Sequence, residues 1–215
     1  MPPPSPARPA LRAIALNCTL KRGGASSSTE VLLDEVMAEL RSAGVSTDEI
    51  VRVANLDIKP GVTSDEGEGD EWPELRRRIL ASDILVIGTP IWLGQPSSVA
   101  KRVLERMDAF LGEKDDRGRM VSVDRVAIVA IVGNEDGAHH VTAELYQALA
   151  DVGFTIPASG GTYWVGEAMG SVDYKDLDHK PDKVTNQNAL VARHAAHLAG
   201  LLKSSGYPTP PESGS

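Results

Sequence analysis

Hydrophobic and polar positions along this chain fall into two alternating rhythms. Short continuous apolar runs, Leu11–Asn17, Ile84–Gly88 and Val126–Val132, are each bounded by turn-forming residues. Such runs are expected of parallel strands buried on both faces. Between them the period lengthens to that of a helix. Val31, Leu32, Val36 and Leu40 form one apolar stripe, and further helices are expected over Trp72–Leu80, Ser97–Phe110, Ala138–Val152 and Thr185–Ser204. Ser46–Val53 reads as a second strand and Phe154–Pro157 as a short fifth. Strands and helices alternating in this way predict an α/β fold: a five-stranded parallel sheet with right-handed crossovers and helices on both faces.

The intervening segments are polar. Asn55–Glu71 contains a dense acidic run, Asp65, Glu66, Glu68, Asp70 and Glu71, which reads as a solvated loop because clustered like charges resist packing. Glu113–Arg119 is a charged loop. The first ten residues, MPPPSPARPA, are proline-rich without the apolar core of a secretion signal, and are expected to form a disordered leader. Residues 206–215 read as a similar tail. Residues 11–205 are then one domain, in which 160–182 is an additional loop segment.

Totals narrow the choice of chemistry. A formal net charge of −8 in 215 residues, with no basic cluster interleaved with aromatics, argues against a nucleic-acid surface. No apolar run approaches the ~18 residues of a membrane span. The single cysteine, Cys18, rules out an intrachain disulfide and any multi-cysteine cluster, consistent with a reducing, cytoplasmic setting. It reads as a small packed residue.

Chemistry concentrates in three loops. The first links strand Leu11–Asn17 to the helix after it and carries Thr19, Lys21, Arg22, Gly23, Gly24, Ser26, Ser27, Ser28 and Thr29. A strand feeding a helix through such a loop points free N–H groups and the positive helix terminus at one place, a ready phosphate site. An ordinary helix start is the alternative, since Ser27 with Glu30 fits a capping box. Neither the dinucleotide glycine fingerprint nor the P-loop pattern is present. The second loop, Thr89–Gln95, sets Pro90, Ile91, Trp92 and Leu93 before Gly94. The third, Gly133–Gly137, offers backbone amides beside Asn134. With strand order 2-1-3-4-5, these loops converge beyond the carboxyl ends of three adjacent strands, where open α/β sheets bind ligands. Phosphate chemistry, an apolar wall and polar backbone together suit a planar heteroaromatic ring with a phosphate tail. Glu135 and Asp136 read as solvated loop carboxylates. His139 and His140 are candidate proton donors, although polar residues of a first helical turn would look the same.

The second loop, Gly88-Thr89-Pro90-Ile91-Trp92, is followed by a helix with Lys101-x-x-x-Glu105-Arg106. This combination, with the hydroxyl-rich first loop, resembles the NADPH-dependent FMN reductases over residues 11–203. The resemblance implies a three-layer flavodoxin-like fold of order 2-1-3-4-5, noncovalent FMN, NAD(P)H as co-substrate, a small-molecule acceptor such as a quinone, flavin, azo or nitro compound, and a homodimer or homotetramer. It implies a phosphate site at Thr19, Lys21, Ser27, Ser28 and Thr29. Its ring site would be Pro90, Ile91, Trp92, Leu93, Gly94, Gly133, Asn134 and Gly137. Lys21 stands where many members have Arg, which exchanges a forked contact for a point charge. The segment 160–182, with Tyr163, Trp164 and Gly166, exceeds a minimal flavodoxin and is expected to cover the flavin or an adjoining subunit. No catalytic side chain and no metal ligand is implied. A flavodoxin-type electron carrier is the rival reading, and a scaffold that has lost its cofactor a third.

Overall fold

In the computed structural model, which describes residues 9–209, a parallel sheet runs in the order β2-β1-β4-β6-β7. Its strands are β1 (Leu11–Asn17), β2 (Val45–Thr47), β3 (Val51–Arg52), β4 (Ile84–Trp92), β5 (Gln95–Pro96), β6 (Val126–Gly133) and β7 (Gly161–Val165). β2 and β3 both pair with β1 and act as one interrupted strand, so the order is the expected 2-1-3-4-5. Only β5 is antiparallel, folded back on β4. The helices are α1 (Ser28–Ser42), α2 (Trp72–Leu80), α3 (Ser98–Met107), α4 (Ala138–Asp151) and α5 (Asp182–Ser204).

Strand side chains divide the interior into two cores by simple alternation. Ile14, Leu16, Leu85, Ile87, Val129 and Ile131 pack against α2, α3 and α4. Ala13, Ala15, Val86, Ile128 and Ala130 pack against α1 and α5. The α1 face is lined with small residues, which lets that helix sit low on the sheet. A Cβ added to Gly88 would lie 2.6 Å from the Leu33 side chain. This close seating brings the start of α1 down beside the ends of β1 and β4, where the chain's course across the sheet reverses.

Three expectations change. Phe154–Pro157 forms only a single bridge, Val126 with Thr155; the fifth strand is Gly161–Val165. Pro157 offers no N–H to a ladder, and pairing resumes only after a turn in which Ser159 has φ 53°. Part of 160–182 is therefore the edge of the sheet. Second, β4 extends to Trp92, so Thr89–Trp92 is strand and not loop. Gly88 O accepts from Cys18 N, so Pro90, two residues on, faces the same side, where β1 has already ended. Its missing N–H leaves no ladder bond unmade. Third, the acidic run is not wholly solvated. The Asp70 side chain is fully buried and ion-paired with buried Arg106 at 2.7 Å, while Arg106 also donates to the carbonyls of Lys59 and Thr63. Burial alone would raise the Asp70 carboxyl. Arg106 and the amides of Glu66, Trp72 and Lys59 outweigh that and hold it down at about 2. The Arg106 of the Lys-x-x-x-Glu-Arg pattern thus anchors residues 55–71 to α3.

Beyond α5, Tyr207 N donates to Asp124 and Tyr207 O accepts from Arg119. Residues 1–8 of the expected leader and 210–215 of the tail lie outside the described residues.

Candidate functional site

At the reversal between β1 and β4 lies a cavity of about 560 Å³, within the range of small-molecule sites. One end is built by the first loop. Ser27 is the N-cap of α1, with its hydroxyl accepting from Glu30 N at 3.3 Å. The return half of a capping box is missing, because Glu30's carboxylate pairs with Arg52. Arg52 also donates to Ala25 O at 2.7 Å, and Asn55 accepts from Gly23 N at 2.8 Å, so the loop is tied down from behind. Its front is free. Among the described residues, the amides of Ser28 and Thr29 find no acceptor, as the first turn of a helix dictates. Thr19, Lys21, Ser27, Ser28 and Thr29 all line this end.

The other end is a wall of Pro90, Ile91, Trp92 and Leu93 facing Val132, Gly133 and Asn134. Leu93 (φ 52°) and Gly94 (φ 74°) make the tight turn between β4 and β5, the paired positive angles of a type I′ hairpin. The Glu135 carboxylate accepts from both turn amides, Leu93 N at 3.1 Å and Gly94 N at 3.2 Å. Glu135 is therefore a structural clamp on the second loop and lines the cavity, contrary to its reading as a solvated carboxylate. Gly94 and Gly137 do not line the cavity. They pack against each other, and a Cβ on Gly137 would stand 2.8 Å from the Gly94 Cα. A Cβ on Gly133 would stand 2.9 Å from that of Ile91, so this glycine lets the end of β6 close against the end of β4.

A third side of the cavity comes from the segment 160–182, which the sequence offered as a cover for the flavin or an adjoining subunit without naming its lining residues beyond Trp164. Trp164 of β7, with Met169, Gly170, Asp173 and Tyr174 of the segment after it, line this side. Asn134 organises this segment rather than simply presenting itself to a ring. Its Nδ2 donates to Gly170 O, Val172 O and Asp173 Oδ1 at 3.1–3.3 Å, and its own carbonyl accepts from Met169 N. At the far end, Lys175 N donates to the Ser28 hydroxyl at 3.3 Å. The segment is thus a strap spanning the cavity from ring wall to phosphate loop. Tyr174 pins it to α1 by donating to Glu35 at 2.6 Å; burial first, and then that carboxylate, push its phenol upward and keep it protonated. Trp164 lies tilted on Tyr174, with ring centroids 5.4 Å apart. Only the aromatic pair and the glycines after Gly160 signalled this in the sequence.

Cys18 sits under the loop, fully buried, and burial pushes its thiol up to about 12. It is inert packing. His139 bonds Tyr163 at 3.1 Å and His140 bonds Gln95, both outside the cavity lining. No cluster suited to a metal occurs among the described residues.

The model of the NADPH-dependent FMN reductases matches residues 11–170. The chain belongs to that family. The chain is also similar to individual known proteins. It is 34% identical over 212 residues to the 8-demethyl-8-aminoriboflavin-5′-phosphate synthase of Streptomyces davaonensis, covering 93% of this chain and 81% of that protein. The crystal structure of RosB with bound 8-demethyl-8-formylriboflavin-5′-phosphate superposes with a TM-score of 0.83 at 32% identity, covering 92% and 82% of the two chains. A divalent metal cation transporter, MntH of Mycobacterium bovis, is 36% identical over 201 residues, but the chain spans 29% of that protein. No described helix is long and apolar enough to cross a membrane.

The cavity also fits the family's FMN on its own features. The Ser28 and Thr29 amides, without acceptors among the described residues, and the hydroxyls of Ser27, Ser28 and Thr29 occupy one end. Apolar and aromatic side chains occupy the other.

Proposed function

We propose that the chain binds FMN in this cavity and is an FMN-dependent oxidoreductase. The phosphate is held by the amides and hydroxyls of Ser28 and Thr29, with Ser27, Thr19 and Lys21. The ring lies against Pro90–Leu93 and the Gly133–Asn134 turn, beneath the strap. The observation that carries this reading is the pair of acceptor-less α1 amides at one end of a cavity whose other end is apolar. When bound, FMN supplies the redox chemistry, taking electrons from NAD(P)H and passing them to a small acceptor such as a quinone, flavin, azo or nitro compound. The protein holds the ring, excludes water through Trp92, Leu93 and the strap, and requires no nucleophile of its own. Exposed Leu93, Trp92 and Met169 around the mouth support a homodimer or homotetramer, and the composition supports a cytoplasmic setting. An electron-carrier role is disfavoured by the strap, which covers the site that a carrier leaves open to its partners.

A second reading is favoured by the relatives themselves. The S. davaonensis protein is named for making a modified flavin phosphate, and RosB holds another, so the flavin bound here can be substrate rather than cofactor. One experiment separates the readings. The purified chain is given FMN, then each reduced nicotinamide without oxygen, then a quinone, and the recovered flavin is weighed by mass spectrometry. Bleaching by nicotinamide and recovery with quinone, with flavin mass unchanged, is the expected result. A changed flavin mass supports the synthase reading, and absence of flavin absorption on the protein refutes both.

A further inference from the structure

Midway along the strap, Asp173 lines the cavity between its two ends. At the ring end, Asn134 Nδ2 donates to Asp173 Oδ1 at 3.1 Å. Two residues further on, Lys175 N donates to the Ser28 hydroxyl of the phosphate loop. A tail that joins a ring at one end to a phosphate at the other therefore passes Asp173. Its side chain keeps 45% of its surface exposed, and its accepting capacity is only partly used. A carboxylate has about four lone-pair positions. Asn134 takes one, and Lys175 Nζ stands at 3.4 Å, its shorter contact being to Asp176. Other carboxylates, amides and hydroxyls lining the cavity outside the first loop are committed. Glu135 holds the Leu93 and Gly94 amides, and the Tyr174 hydroxyl donates to Glu35. Asn134 Nδ2 is shared among strap acceptors while its Oδ1 is buried. Lysines behind the strap offset the charge of Asp173: Lys175 beside it, and Lys180, which donates to Tyr174 O at 2.6 Å and lies 4.6 Å from the Tyr174 ring centroid.

We infer that Asp173 is the subsite for the flavin's ribityl tail, accepting from its hydroxyls and so selecting a polyhydroxylated tail over a plain alkyl one. This rests on the reading that FMN occupies the cavity, and it holds whether the flavin is cofactor or substrate. The ribityl hydroxyls are donors, and a hydroxyl pressed against the apolar wall without an acceptor costs free energy. Asp173 is the strap's answer to them, and a bond to a charged acceptor is about twice as strong as one between neutral groups. Because Asn134 and Lys175 fix Asp173 from either side, the acceptor is in place before the tail arrives.

The test is a fluorescence titration of the full chain with two ligands: FMN, and the analogue in which an unsubstituted pentyl chain replaces ribityl while ring and phosphate stay. The readout is the ratio of the two affinities, from which anything Asp173 does for the strap alone cancels. The unaltered chain is expected to favour FMN. Asp173→Ala is expected to cut that preference by about tenfold, and Asp173→Asn, which keeps a neutral acceptor, by less. Asp176→Ala also removes a partner of Lys175 but lies outside the cavity lining, and is expected to leave the ratio unchanged. If Asp173→Ala weakens both ligands alike, or if Asp176→Ala lowers the ratio as much, the subsite is overturned and the FMN reading stands. An unaltered chain that binds FMN and the pentyl analogue equally overturns it in the same way. Binding of neither ligand overturns the subsite and the FMN reading together.

Discussion

Single residues at the start of α1 serve two purposes that the sequence presented as alternatives. Ser27 caps the helix, as a plain βα turn requires, and by doing so leaves the next two amides facing the cavity. Ser28 and Thr29 then act through side chain and main chain together. Replacing both by Ala removes only the hydroxyls, and is expected to weaken FMN binding by about 1–3 kcal/mol in a fluorescence titration. Cys18, where β1 opens into the first loop, is expected not to react with a thiol reagent in the native protein. It should do so stoichiometrically once unfolded, because the burial that raises its thiol also denies access. Glu135 shows where residue-level reading ends. Its two partner amides lie more than forty residues earlier, and nothing in the local pattern distinguishes a clamp from a solvated carboxylate.

Among the elements, the β4–β5 hairpin and the 55–71 loop depend most on a single side chain each. Without Glu135 the turn amides of Leu93 and Gly94 lose their acceptor. Glu135→Ala is expected to loosen Trp92, seen as lower emission anisotropy, and to reduce FMN affinity by about 1 kcal/mol, with Glu135→Gln keeping part of both. The loop depends on the fully buried pair Arg106–Asp70. Removing one partner strands the other charge, so Arg106→Ala is expected to cost about 3–5 kcal/mol of stability in denaturant titration. Because the Asp70 carboxyl is depressed in the folded state, its contribution is present above the ordinary carboxylate range. It is lost as pH falls from about 4 toward 2, and Asp70→Asn should flatten that part of the acid-unfolding curve. The acidic run looked solvated because its countercharge comes from a helix more than thirty residues downstream.

For the molecule as a whole, the parallel order and the two-sided helix layers were legible, since uninterrupted apolar runs such as Val126–Val132 admit few other placements. That the first loop and Pro90–Leu93 meet at one cavity was legible for a related reason: each is a short local segment at the end of such a strand. The edge strand was not, because Gly161–Val165 carries one buried position, Thr162, between more exposed neighbours, and the apolar run Phe154–Pro157 lies on the other side of the turn. The segment after it was legible as a cover for the flavin or an adjoining subunit; its course, which supplies a whole side of the cavity and ties Asn134 to Ser28, was not, because it is set by hydrogen bonds between residues more than thirty positions apart. The proposed grip is on a phosphate at one end and a ring at the other, and the most direct measurement is a paired titration of the chain with FMN and with riboflavin, which lacks the phosphate. One FMN per chain, with riboflavin bound roughly 100-fold or more weakly, is the expected result, as two or more bonds to a charged group require. Equal affinity for the two flavins, or binding of neither, would contradict it.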